Sequence, residues 1–141
     1  MPAPSLPVTA VFTSLASLFG ARLSLNVTSL RYQNRISLGS GGHEALEKAI
    51  RAFGNYSEYA PLMLLQLACL ELNGAPRWLL VMLGSAGGLG RVCHLWGITD
   101  PSTKPRFEWR RIGMVLTIWM LRLGALANVV FALKVAGLIA A

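Results

Sequence analysis

The chain has 141 residues, 54% of them hydrophobic and only 13% charged, and a mean hydropathy of +0.52; this balance excludes an ordinary soluble domain and points to a membrane. The net charge of +7 is the balance of thirteen Lys and Arg residues, scattered along the chain, against six Asp and Glu. They form no basic face interleaved with aromatics, so no nucleic-acid partner is expected.

Four long, weakly charged segments, about 7–30, 44–72, 78–97 and 112–139, come close to or exceed the roughly 20 residues a helix needs to cross hydrocarbon. They predict an all-α integral membrane four-helix bundle in a single domain. The first opens with "MPAPSLPVTAVF", has no basic residue before Arg22 and stays apolar to Leu30. A cleaved signal peptide has a basic start and a shorter apolar run, so this segment is read as a retained first helix. The connection that follows contains Ser37, Gly39, Ser40, Gly41 and Gly42. With no preceding strand and no Gly-Lys-Ser/Thr after it, it reads as a flexible turn rather than a phosphate cradle.

The second helix should start near His43 and Glu44, with acidic residues where the helix dipole favours them, and run to the "LNGAP" break. Glu44, Glu47, Lys48, Arg51, Asn55 and Glu58 follow spacings of 3, 1, 3, 4 and 3, which stacks them along one helical face. Leu46, Ile50, Phe53 and Ala60 are assigned to the opposite face. Charge in a membrane helix is costly unless it is paired or lines a wet cavity. Two readings follow: a polar site, or a self-satisfied network of Arg51 with Glu58 or Glu47 that only fixes packing.

In the third helix Gly84 and Gly88 form a small-xxx-small pair suited to close helix packing. Arg91 and His94 sit three apart on one face. The second and third helices run antiparallel, so both residues lie at the depth of the stripe; His94 is either a packed residue or a ligand. With only two histidines, His43 and His94, and no cluster at ligand spacing, no metal is expected. Cys69 and Cys93 lie within spans and suggest no disulfide. The last connection, "GITDPSTKPRFEWRR", contains Pro101 and Pro105, which stop helices. Arg31, Arg35, Lys48 and Arg51 surround the first connection, and Lys104, Arg106, Arg110 and Arg111 lie in the third, whereas the second holds only Arg77. The positive-inside rule then makes the first and third connections cytoplasmic and puts both termini outside.

At these residues the chain resembles a known family. "RAFGNYSEYAPL" is similar to the second-helix signature of the MAPEG family (membrane-associated proteins in eicosanoid and glutathione metabolism), with Arg51, Asn55, Glu58 and Pro61 at its positions. Glu47 and Lys48 match the start of that signature, Arg31 and Arg35 in "SLNVTSLRYQNRIS" match the end of the first helix, and "GRVCH" fits through Arg91 and His94. The Gly-rich "GSGGHEAL" looks like the bacterial branch, which implies an inner-membrane location.

The resemblance implies a left-handed bundle assembled as a homotrimer, with glutathione bound between neighbouring subunits near the cytoplasmic face. Arg31, Arg51, Asn55, Glu58 and Tyr59, with His94, would hold the tripeptide. Arginines suit its two carboxylates, Glu58 its ammonium, and Asn55 can donate or accept. Arg106 would lower the thiol pKa and enrich the nucleophilic thiolate, with Arg110 or Arg111 as substitutes. The resemblance therefore implies a glutathione-dependent transferase or peroxidase acting on a hydrophobic small-molecule or lipid electrophile that enters from membrane lipid. The chain departs from the family pattern in having no tyrosine on its third helix, with Ile98 where a hydroxyl is expected, and in placing Phe107 after Arg106. The alternative is a non-enzymatic protein of the same architecture that binds lipid or a partner protein. A transporter is disfavoured because there is no inverted repeat and no pair of broken helices.

Overall fold

The computed structural model describes residues 5–99 and 106–139, with Arg106 described in its backbone only. Four helices follow in chain order: α1 (Pro7–Asn34), α2 (Glu44–Leu72), α3 (Arg77–Thr99) and α4 (Arg106–Val135). The shortest, α3, has 23 residues and spans about 34 Å at 1.5 Å per residue, enough for a bilayer core. α1, α3 and α4 are each long and apolar enough to cross a membrane. α2 is as long, with 29 residues, but the charges in its first half dilute its hydropathy. The protein is an all-α membrane bundle.

Residues in the left-handed region close α1 and turn the chain after α1 and α2. α1 closes on Arg35 in the left-handed region (φ 56°), whose backbone N–H returns to the carbonyls of Arg31 and Tyr32. Gly39, Gly41 and Gly42 follow with positive φ, which L side chains adopt only with strain. The turn reading of this segment is therefore correct. Gly74, also at positive φ, reverses the chain between α2 and α3.

One end of the bundle is apolar and tightly packed. Met63, Leu67 and Leu70 of α2, Ala75 of the turn, Leu80 and Leu83 of α3 and Met120 of α4 form the core, with Phe12 and Phe131 packed against it. The start of α1 meets the end of α2 here, so the beginning of α1, the α2–α3 turn and the end of α4 share this end. The opposite end carries segment 35–43 and the approach to α4. Leu15, Leu18, Leu89, Trp119 and Leu126 point outward, as lipid-facing side chains do.

The glycines of α3 allow the close packing, though not as the pattern suggested. A methyl group on Gly84 would meet the Phe12 ring at 2.6 Å, and one on Gly113 of α4 would meet the His94 backbone nitrogen at 2.5 Å and the Gly90 carbonyl oxygen at 2.6 Å. Gly88 faces open space. Gly84 thus makes a close contact with α1, while Gly87 packs against α2 and α4 and Gly90 against α4, so the close-packed glycines of α3 recur every three residues rather than every four.

Candidate functional site

The buried face of α2 runs through Leu46, Ala49, Ala52, Ala60, Met63, Leu67 and Leu70. At 100° per residue the centre of the polar stripe lies about 135° from the centre of this face, with Lys48 and Asn55 on its nearer edge. Leu46 and Ala60 are buried as expected, whereas Ile50 belongs to the wall of a cavity. The stripe therefore borders the gap between α2 and α4, with Lys48 and Asn55 half-buried and Glu47, Arg51 and Glu58 exposed at its mouth.

That gap is an open polar cavity of about 960 Å³, lined from α2 by Glu44, Glu47, Lys48, Arg51, Asn55 and Glu58, from α3 by His94 and from α4 by Arg110. Ile98, Phe107 and Met114 give it an apolar rim. Lys48 pairs with Glu44 one turn away. Among the described residues, Arg51, Glu47 and Glu58 make no ion pair and no side-chain hydrogen bond. The self-satisfied network is thus absent there, and the cavity presents a cation and two carboxylates with free valences.

Behind the cavity wall lies a second polar group that is fully engaged. Arg91 is 4% exposed. Its Nε donates to Thr117 Oγ1 at 3.0 Å, its Nη2 donates to the same oxygen, and its Nη1 donates to Asn55 Oδ1 at 2.6 Å. Thr117 Oγ1 passes its own proton to the Gly113 carbonyl oxygen at 2.8 Å. The Tyr59 ring covers the guanidinium at 4.8 Å. Charge-assisted bonds of this kind are what a buried cation needs when no carboxylate is beside it.

The residues singled out in the sequence fall into three groups. Arg51, Asn55, Glu58 and His94 come together in the cavity, and His94 Nδ1 lies 3.3 Å from the Arg110 carbonyl oxygen. Arg31 and Tyr59 do not line it. Arg31 Nη1 donates to the carbonyls of Ser37 at 3.0 Å and Gly39 at 3.1 Å and so clasps the loop after its own helix; Tyr59 is turned onto Arg91. Arg106 forms the third group: its backbone begins α4, but its side chain lies outside the described residues. Arg110, one turn on, does line the cavity, and Arg111 does not.

Two contacts near the site had no sequence signal of their own. Thr117 reads as a small polar residue in an apolar helix, and only its spacing of four from Gly113 hints at a carbonyl bond. The Tyr56 hydroxyl donates to the Ala16 carbonyl oxygen of α1, and its ring meets Phe19 edge-on at 5.3 Å. Tyr56 also helps line an apolar groove of about 340 Å³ among α1, α2 and α3, which has Arg91 at one end and Phe12 and Leu67 at the other. Groove and cavity share no lining residue.

Comparison with known proteins matches residues 9–130 to the MAPEG family. The chain belongs to the MAPEG family. It is 36% identical over 121 residues, 86% of this chain and 89% of the relative, to the inner membrane protein YecN of Escherichia coli strain K12. YecN of the Escherichia coli O6:H1 strain CFT073 matches to the same extent. The matched region runs from the first turn of α1 to near the end of α4, so the MAPEG relationship includes all four helices and every described residue of the cavity.

Proposed function

We propose that this MAPEG protein binds glutathione in the polar cavity and uses it, as the thiolate, against a hydrophobic electrophile in a bacterial inner membrane. The observation that carries this reading is the chemical content of the cavity: Arg51 and Glu58, unpaired among the described residues, flank Asn55 in a space of about 960 Å³, within the usual range of about 300–1,000 Å³ for small-ligand sites. Glutathione has two carboxylates, an ammonium, two amides and a thiol. Arg51 suits a carboxylate, Glu58 the ammonium and Asn55 an amide carbonyl.

The thiol requires a cation to ionise near neutral pH. Arg106 and Arg110 share a face of α4 at a spacing of four, and Arg110 lines the cavity. In this reading Arg106 stabilises the thiolate, while Arg110 supplies positive potential beside it. The sulfur then attacks the electrophilic carbon, a C–S bond forms, and the electrons of the broken bond leave with the departing group. With a lipid hydroperoxide the sulfur attacks the O–O bond and releases the alcohol, and a second glutathione completes the disulfide and water. The acceptor approaches over the apolar rim of Ile98, Phe107 and Met114, since only a pocket of about 10 Å³ lies between the groove at Arg91 and the cavity.

The open side of the cavity is closed by a neighbouring copy in a homotrimer. Basic residues around segment 35–43 and at the start of α4 put that end in the cytoplasm and both termini outside.

Calorimetric titration of glutathione into detergent-purified protein tests the reading. Binding that is lost in Arg51→Ala and weakened in Glu58→Gln is expected, and absence of binding to the wild type overturns it. Ile98, which lines the cavity where a hydroxyl is expected, favours the second reading, a MAPEG protein that binds lipid or a partner protein without chemistry. Glutathione bound with its thiol still protonated at neutral pH would select that reading.

A further inference from the structure

The contact between Arg91 and Asn55 fixes which end of the Asn55 amide faces the cavity. A guanidinium has five N–H donors and no acceptor. With Arg91 Nη1 at 2.6 Å, the Asn55 atom it meets must be the carbonyl oxygen Oδ1. The amide nitrogen Nδ2 is then left on the other branch of a side chain that lines the polar cavity, and it has no acceptor among the described residues.

Arg91 cannot easily relent. Its Nε and Nη2 both end on Thr117 Oγ1, whose hydroxyl proton is committed to the Gly113 carbonyl and whose lone pairs therefore face the guanidinium. The Tyr59 ring lies over its face, and the group is buried. Turning the Asn55 amide over would press NH2 against a cation and leave donors on both sides without an acceptor, and buried groups in that state are strongly disfavoured.

We propose that Arg91 is a positioning residue that determines specificity by holding Asn55 as an obligatory hydrogen-bond donor to the cavity. Asparagine is chemically ambivalent, but here the ambivalence is removed by a residue that itself touches no ligand. The cavity accepts an amide carbonyl or carboxylate oxygen opposite Asn55, and it disfavours a group that can only donate. This inference rests on the glutathione reading for its choice of ligand, though the orientation of the amide does not.

Asn55→Asp separates the two faces of the side chain. It keeps an oxygen for Arg91, replaces the cavity-facing NH2 by a second oxygen and adds a negative charge, which the Arg91 guanidinium offsets. The expected result is a protein whose unfolding temperature in detergent is at least that of Asn55→Ala, with glutathione affinity reduced tenfold or more relative to wild type. In Arg91→Gln the partner can donate or accept, so Asn55 regains both orientations and affinity is expected to fall several-fold.

Wild-type affinity in Asn55→Asp overturns the proposal, as does an Asn55→Asp protein less stable than Asn55→Ala, because Arg91 would then not be facing an oxygen. If the wild type binds no glutathione, the proposed function fails. The comparison of unfolding temperatures, made without ligand, still decides whether Arg91 faces the side chain at position 55, the contact from which the orientation follows: Asn55→Asp at or above Asn55→Ala sustains it, and the reverse order removes it.

Discussion

Glu71, in the last turn of α2, caps the first turn of α1 by accepting the backbone N–H of Thr9 at 2.7 Å and of Val8 at 2.9 Å. These two donors are the ones an N-cap side chain normally satisfies. Leu6 stands at the N-cap and cannot do so, and Pro7 at the first helical position has no N–H to satisfy. A carboxylate from another helix thus replaces a local cap, and its charge also meets the positive end of the α1 dipole. Glu71→Ala is expected to cost about 1–2 kcal/mol, read as a lower unfolding temperature by circular dichroism in detergent. Glu71→Gln, which keeps one acceptor but loses the charge, should fall between. An unchanged midpoint in Glu71→Ala would mean that water caps α1 equally well.

The pair Gly90 and Gly113 sets the distance between α3 and α4. Because a side chain at Gly113 would strike backbone atoms of His94 and Gly90, no rotamer change relieves it. Gly113→Ala should cost about 1–3 kcal/mol, the usual penalty of overpacking, and should also weaken glutathione binding through His94. Gly88 is the control: with open space around it, Gly88→Ala should be neutral or stabilise by up to about 1 kcal/mol through helix propensity. Equal unfolding temperatures for the two variants would remove the close approach.

Thiolate formation distinguishes the two arginines at the start of α4. In the proposed mechanism Arg106→Ala abolishes the ultraviolet absorbance of bound glutathione thiolate near neutral pH while binding persists, because a thiol returned to its ordinary pKa of about 8.5 is mostly protonated there. Arg110→Ala should reduce the thiolate fraction less. The reverse order would transfer the role one turn along, to the arginine that lines the cavity.

The sequence revealed more of the fold than of the site. Helical spacing put Arg51, Asn55 and Glu58 on one face, and the structure collects them in one cavity, because spacing along a single helix is a property of that helix alone. Arg91 was placed at the right depth, but its bond to Thr117 depends on how α3 and α4 approach, which the glycines at 90 and 113 decide. Arg31 shows the converse. Its position at the end of α1 was legible, yet its hydrogen bonds go to the Ser37 and Gly39 carbonyls, an arrangement set by the path of a Gly-rich loop that no periodicity encodes. Similarly, the Gly84 and Gly88 pair has the right spacing for packing, but only Gly84 faces another helix.

A polar link crosses between α2 and α4 in the half of the bundle away from the cavity. Asn128 Nδ2 donates to the backbone carbonyls of Gln66 at 3.2 Å and Gly124 at 2.9 Å, and Gln66 Nε2 donates to the Leu121 carbonyl at 3.2 Å. Gly124 makes room for this: a methyl group there would come within 2.5 Å of Gln66 Oε1, an atom with no hydrogen-bond partner among the described residues. Interhelical bonds in membranes are individually modest, averaging about 0.6 kcal/mol. Asn128→Leu should therefore cost only about 0.5–1.5 kcal/mol. Gly124→Ala should cost more, because it displaces the Gln66 side chain and so breaks its bond to Leu121 as well. Gln66→Leu removes both the unpartnered oxygen and the donor, so the two changes offset and its unfolding temperature should stay close to wild type. The decisive measurement is the order of the three variants in one detergent. If Gln66→Leu is the most destabilised, the orphaned oxygen must have a partner in the assembled protein, and α2 and α4 are joined there through that partner rather than by Asn128.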